Sequence, residues 1–522
     1  MRTAIMMAIV LAGSWAAKAA PAQDGQTAQS AERIYNARMA DPVWKENYTG
    51  EGFAWHAASG MGSFLEGYEA TGDTVFLDWG VKYYDAVLAR MAEGPDGYKG
   101  WIGPYIYNAR RWCDCHVGDA ILFDNILDFA YAVERDPKLK AKYGAKAQEY
   151  AKLAKRDFFE KWDARGTWHE DGPYGVYVQW DKFGAPGQYK NWTVIDTSED
   201  SDNEATIPFN KQIDAGVVAL RIWQFTGEQK YKLRAEKIFG FMKSRMQRYK
   251  DELHWNYWEP GGQWDLREGN RAIHWVGVHP ERNYQSGEVV NILKAYNGGT
   301  VFTEEDIRGI VNTNLKMMWN GDTSQPLFAN SNADLKGAMT PAAYAGRHAG
   351  ELWSPLAQVD GTVRGLYASR VGSRQGLGAE YFRNVTAKAP PSYQRRDVRG
   401  KAEIPQDYAR FPLGNVRTVQ MGAAMPSIFA SGEKTVLICK LIEPGNLEVA
   451  LYSRDGKTKL ATLRQGQEKG GADGLAGVLY FAFDGKDPSN GKAFPPGEYR
   501  VRWTVEGDGY REYPITIRRA GR

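Results

Sequence analysis

The sequence predicts a mainly α fold: an α/α toroid of helical hairpins followed by a small C-terminal β-sandwich. Three observations predict it. From about Phe53 to Trp319 apolar residues recur at three- and four-residue spacing, the period of helices with one buried face. A helix–Gly–helix pattern occurs twice in that stretch. After about residue 420 the period changes to two, with Gly and Pro turn signals between runs.

The helical spacing marks segments 53–70, 76–91, 118–134, 139–162, 211–225, 230–248, 287–296 and 304–319, with Gly- and aromatic-rich loops rather than strands between them. Tyr68-Glu69-Ala70-Thr71-Gly72-Asp73 and Trp223-Gln224-Phe225-Thr226-Gly227-Glu228 are the repeated turn, each a helix closed by Gly before a returning helix. Hairpins of this kind cannot bury their apolar faces alone and stack side by side. The long, unequal loops 93–117, 166–209 and 254–286 favour ring closure over a linear solenoid, because one rim of a ring collects them around a cleft. Segment 385–420, rich in Pro, Arg and Lys and without period, reads as a linker or wrapping segment. Runs at 435–442, 447–453, 478–483 and 498–505 read as strands of a sandwich spanning 421–522.

At the other end, Arg2 precedes the apolar run from Ile5 to Ala12, and Ala17-Lys18-Ala19 and Ala20-Pro21-Ala22 offer cleavage sites. This predicts a signal peptide over 1–22 and a secreted or periplasmic protein, with the toroid over 23–384. The run is too short to span a membrane. The chain carries 66 Lys+Arg against 63 Asp+Glu, net +3; removing Arg2 and Lys18 leaves +1. Such balance gives no electrostatic case for nucleic acid or membrane insertion. The 18 Trp, 29 Tyr and 20 Phe suit a protein that stacks flat ligand faces, sugars among them. Three cysteines rule out a complete disulfide framework. Cys113-Asp114-Cys115-His116 lacks a second ligand cluster, so neither a metal nor another cofactor is expected.

Polar residues concentrate in the loops. Residues 98–116 hold Trp101, Tyr105, Arg110, Arg111, Asp114 and His116, a mixture of apolar platforms and hydroxyl partners. Asp196 to Glu204 is acidic and runs into Asn210 at a helix start. Three of the seven histidines fall between His254 and His279, with Trp255, Trp258, Arg282 and Tyr284 close by. A His, an Arg and a Tyr just before a helix are a kit for removing a C–H proton beside a carboxylate.

Pro208-Phe209-Asn210-Lys211-Gln212, the Thr226-Gly227-Glu228 turn, Trp255-Asn256-Tyr257-Trp258 and the run 301–320 resemble secreted bacterial α/α-toroid polysaccharide lyases of the alginate and glucuronan type. The resemblance spans about residues 50–320 and implies β-elimination of a uronic-acid glycan, hence an acidic polysaccharide as partner. It implies Asn210 as the carboxylate-neutralising group and His279 and Tyr284 as base and acid. To these the loop reading adds Arg282 on the carboxylate and His116 from the opposing loop, with Trp101, Tyr105, Arg110, Arg111, Trp255 and Trp258 binding substrate. The run Phe494-Pro495-Pro496-Gly497-Glu498-Tyr499 resembles FlgD-like immunoglobulin modules, implying an accessory role for the sandwich. Two alternatives stand beside this reading. A glycoside hydrolase would draw a carboxylate pair from Asp114, Asp119, Asp200, Asp202 and Glu204. A glycan-binding protein would need aromatics without convergent ionisable groups.

Overall fold

The computed structural model describes residues 26–45, 50–94, 96–105, 108–180, 205–267, 271–274, 276, 284–329, 349–371, 374, 376–402, 404, 418–471 and 475–519; at 26–28, 45, 104, 105, 108–113 and 271 it describes the backbone alone. Helices dominate the first part: α1 Gln26–Met39, α2 Pro42–Lys45, α3 Glu51–Ala58, α4 Gly62–Thr71, α5 Val75–Leu88, α6 His116–Arg135, α7 Pro137–Ala154 and α8 Lys161–Ala164. They continue as α9 Phe209–Thr226, α10 Gln229–Arg245, α11 Gln285–Asn297, α12 Glu304–Asn312, α13 Gly361–Val371 and α14 Leu377–Tyr381. The sequence period over 53–70 is interrupted in the structure at Ser59-Gly60, where Gly60 takes φ 85° and splits α3 from α4.

Three consecutive helices, α3, α6 and α9, pack in series, and α11 packs against α9. Helix α5 returns along α4, α7 along α6, and α10 along α9. Helix α14 packs back on α4. The two repeated turns share one geometry. Gly72 and Gly227 adopt φ 75° and 81° and donate to Tyr68 O and Trp223 O. Thr71 and Thr226 bond back to Gly67 O and Ile222 O, and their hydroxyls accept from Asp73 N and Glu228 N. Left-handed φ is nearly free for glycine and costly for other residues, which fixes Gly at this cap.

Where the sequence reading has only loops, short antiparallel pairs form: β1 Ala92–Glu93 with β2 Lys99–Gly100, β3 Gly103–Tyr105 with β4 Asn108–Cys113, and β5 Trp168–Asp171 with β6 Tyr174–Tyr177. Two more are β7 Gln247–Tyr249 with β8 Glu252–His254 and β9 Leu266–Arg267 with β10 Arg271–Ala272. Apart from the six-residue β4, these strands have two to four residues, too few for alternation to show.

The C-terminal strands are β11 Val419–Met425, β12 Ile428–Ala430, β13 Thr435–Leu441, β14 Gly445–Ser453, β15 Lys459–Glu468, β16 Val478–Phe483, β17 Gly497–Val505 and β18 Gly509–Arg518. They form a three-stranded sheet β11-β13-β16 and a five-stranded sheet β12-β18-β17-β14-β15, with β12 parallel to β18. Strand β11 begins inside the segment read as linker. Most buried apolar residues of helices and strands belong to one continuous cluster, from Val43 to Ile517, and Val371, Ala379 and Phe382 form a small second one.

The described part of the wrapping segment crosses the C-terminal ends of the packed helices. Arg395 donates to Tyr296 O at 2.5 Å and Phe302 O at 2.8 Å, and Arg399 donates to Gln224 O. Asp397 pairs with Arg135 at 2.5 Å, while its backbone bonds Asn297 O and accepts from Gln224 and Tyr131. Helix C-termini present unpaired carbonyls and partial negative charge, so a strap rich in arginine is suited to that end.

Candidate functional site

The connections at the two ends of the helices differ. At the strap end, α4–α5, α6–α7 and α9–α10 are joined by turns of a few residues. At the other end, the connections into α6, α9 and α11 are the long loops. The N-terminal ends of α3, α6, α9 and α11 therefore make the rim. Rim contacts form a chain from one helix to the next. Glu51 opens α3, fully buried, and accepts from Trp55 Nε1 at 3.2 Å and from Lys211 Nζ of α9 at 3.3 Å. Phe209 N bonds Tyr257 O at 3.1 Å, and the Tyr257 ring lies 5.2 Å from that of Tyr284, the residue preceding α11. Trp55, Tyr257 and Tyr284 are all half-buried, so each still offers part of a ring.

Below the rim, four helices carry polar residues at helical spacing. These are Glu66 and Glu69 on α4, Asp124, Asp128 and Tyr131 on α6, Lys211, Asp214 and Arg221 on α9, and Glu288, Asn291 and Lys294 on α11, in line with Tyr284 just before it. Residues three and four apart share a helix face, so each set is a stripe. Lys294 Nζ reaches Asp124 at 2.8 Å and Asp128 at 2.8 Å; Arg221 Nε reaches Asp128 at 2.6 Å; Asn291 Nδ2 donates to Asp214 at 2.7 Å. The α6, α9 and α11 stripes therefore converge. They are also reachable by solvent: the Asp128 and Lys294 side chains keep 21% and 18% of their surface, Asp214 is half-buried, and Glu66 and Glu69 are exposed. Solvent contact in the midst of otherwise buried helices describes a well.

Its carboxyls differ in charge state. Burial lifts Asp214 well above the usual carboxylate range, and the Asp124 charge adds to this. Burial likewise raises Asp124 to about 6 against the opposing pull of Lys294. Burial also pushes Asp128 up, but Lys294 and Arg221 together outweigh it and hold the carboxyl below its ordinary value. Glu288, 2% exposed, is raised to about 8 by burial, with only the Trp255 indole N–H opposing.

The residues singled out from the sequence fall into three groups. Tyr284 and Asn210 are at the rim, and Asn210 Oδ1 is buried without a hydrogen-bond partner. His279 and Arg282, the side chains of Tyr105, Arg110 and Arg111, and the acids Asp200, Asp202 and Glu204 lie outside the described residues. The rest are interior. Trp101 is 1% exposed and donates to Val87 O at 2.8 Å; Trp255 and Trp258 are 2% and 1% exposed. Their expected role as sugar platforms gives way to a packing one, because no ring face reaches solvent.

His116 is the first residue of α6 rather than a group presented by the opposing loop. Phe158, Trp162 and Tyr177 enclose it at 4.9, 5.1 and 4.2 Å. Burial first, then the charges of Lys161, Lys211 and Arg234, pull it well below the ordinary histidine value, so the ring is neutral. Asp114 and Asp119, candidates for a carboxylate pair, are fully buried on Lys161, each at 2.7 Å, and Arg165 adds a contact to Asp114 at 2.8 Å. They brace the loop before α6. Cys115 and Cys439 are buried. Among the described residues no three His, Cys, Asp or Glu side chains are grouped to hold a metal ion, and no helix is long and apolar enough to cross a membrane.

Sequence reasoning missed Glu66, Glu69, Asp124, Asp128, Asp214 and Glu288. The signal lies in the helices rather than the loops: acids three or four residues apart for Glu66–Glu69 and Asp124–Asp128, and a single acid in the helix for Asp214 and Glu288.

No family model and no curated protein matches the chain. Among solved structures it is similar to an inactive variant of an alpha-1,6-mannanase of Salegentibacter sp. in complex with alpha-1,6-mannotetrose, at TM-score 0.35 and 14% identity over 73% of this chain and 94% of that one. The same enzyme with alpha-1,6-mannotriose gives 0.31 and 13% over 54% and 69%. Dfg5 from Chaetomium thermophilum, in complex with glucosamine, gives 0.27 and 13% over 74% and 97%. At these TM-scores and identities neither fold nor activity follows from the likeness; what stands is a chain of paired helices, a rim of half-buried aromatics and a well of unlike carboxyls.

Proposed function

We propose that the chain is a carbohydrate-active enzyme built as an α/α toroid, and that it hydrolyses a glycan with a pair of carboxyl groups. The observation that carries this reading is the pair Asp214 and Asp128, on adjacent helices of one well, with proton affinities pushed in opposite directions. Asp214 meets α11 through Asn291 and Asp128 meets it through Lys294, and a protonated acid and an ionised one in the same well are the division of labour that glycoside hydrolysis requires. Asp214 protonates the leaving oxygen. Asp128, held ionised by Lys294 and Arg221, faces the oxocarbenium-like centre as base or nucleophile. Trp55, Tyr257 and Tyr284 at the rim offer partial ring faces for sugar stacking. The leader-like residues 1–22 support export to the medium or periplasm, where polymeric glycans are met.

β-Elimination of a uronate is the second reading, favoured by one observation: Asn210, with its unpartnered Oδ1, and Tyr284 are both at the rim.

The pair is tested by Asp214→Asn and Asp128→Asn, each expected to lower kcat at least about 1,000-fold, and by the pH–rate profile. An intact bell-shaped profile in Asp214→Asn removes that residue as the acid.

A further inference from the structure

The three-stranded sheet of the sandwich is not an outer wall. Every residue of β11 and of β13 is buried. An antiparallel sheet with one face in water alternates between buried and exposed, so both faces of these strands are covered. The register says by what. Gly422 pairs with Cys439, and a Cβ on Gly422 would meet the Trp503 ring at 2.9 Å; that face looks at the five-stranded sheet. Lys440 pairs with Met421 and Val478, and Tyr480 pairs with Ile438, so Lys440 and Tyr480 share the opposite face, toward the helices. There Lys440 Nζ donates to Val276 O at 2.5 Å, and the Tyr480 hydroxyl accepts from Ala272 N at 3.0 Å. Gln420 O accepts from Asn256 at 3.4 Å and from Arg511 at 3.2 Å. The long connection into α11 is thus anchored to the sandwich at Asn256, Ala272 and Val276.

We propose that Lys440 and Tyr480 are positioning residues for the site: the inner sheet fixes segment 271–276 and, through it, the entry of α11 that carries Tyr284, Glu288 and Asn291. The sandwich is then a working part of the rim rather than an accessory. Lys440 is fully buried. An ammonium out of water requires acceptors, and the carbonyl of Val276 is one that only the docked loop supplies. The loop backbone in turn must pair its own groups, and the sandwich meets part of that need. Which reaction is being positioned rests on the proposed function; the anchoring does not.

The test uses the full chain with Lys440→Met and, because that variant loses a buried charge and can misfold, Tyr480→Phe, which removes one hydroxyl. Amide hydrogen exchange is read in peptides covering 271–284, with α9 and α10 as internal control, together with kcat and KM on whichever of mannan, glucuronan or alginate is turned over. Exchange in 271–284 is expected to quicken about tenfold with the control unchanged, and kcat to fall about tenfold with KM within about twofold. Unchanged exchange at 271–284 in both variants, or faster exchange with unaltered kcat, overturns the proposal. If none of the three polysaccharides is turned over, the hydrolase reading loses support while the exchange result still decides whether the sandwich anchors the loop.

Discussion

Glu288 has the environment that separates a working acid from a packing residue. Its carboxyl meets an indole N–H and otherwise protein, and burial lifts it to about 8 from 4.5. A carboxyl raised on folding binds its proton more tightly in the native state, so wild-type stability falls as pH rises from about 4.5 to about 8 and is flat above. Glu288→Gln abolishes this slope. The variant is expected to gain on wild type between pH 5 and pH 9 by at most about 5 kcal/mol, at 1.36 kcal/mol per unit. Urea midpoints at the two pH values check it, and equal slopes contradict it. At this scale the sequence was least legible. His116, Trp101, Trp255 and Trp258 look functional by type and clustering, but burial decides their role, and burial depends on which helix face meets which neighbour.

Elements were easier to read, because the helical period, the Gly caps and the turn chemistry are local. The two Thr-Gly turns match in sequence and in bonding. Their glycines still differ in surroundings. A Cβ at Gly72 meets nothing within 4 Å, whereas at Gly227 it falls 2.9 Å from the Arg399 guanidinium of the strap. Gly72→Ala is expected to cost about 1–2 kcal/mol from left-handed φ alone. Gly227→Ala adds displacement of Arg399 and is expected to cost more; chemical denaturation ranks them, and the reverse order contradicts the strap assignment. Arg395→Ala removes two bonds to the carbonyls of Tyr296 and Phe302 and is expected to cost about 2–3 kcal/mol by the same measurement. The composition of 385–420 marks a segment without helical or strand period. Its target was not visible, because the carbonyls it caps come from α9, α11 and the turn after α11, far apart in sequence. The short β pairs and the strands β11, β12 and β15 show no clean alternation, β11 because it is buried throughout; β18 alternates at Tyr513, Ile515 and Ile517, but Pro514 within the run argues against a strand.

For the whole molecule, one apolar cluster runs through helices and strands, and Asp171–Ser427, Arg511–Arg245 and Lys440–Val276 bonds cross between them. Helices and sandwich are therefore expected to unfold in a single calorimetric transition, and two separated transitions would contradict a shared core. The paired helices put long loops at one end and an arginine strap at the other, with the carboxyl stripes between, and this placement rather than any single residue makes the well. Mannan, glucuronan and alginate offered to the full chain, with new reducing ends and ultraviolet absorbance from unsaturated product followed together, test the carboxyl-pair chemistry most directly. Hydrolysis gives reducing ends without absorbance, lost in Asp214→Asn; absorbance rising with the reducing ends, and lost in Tyr284→Phe instead, would show that the chain eliminates rather than hydrolyses.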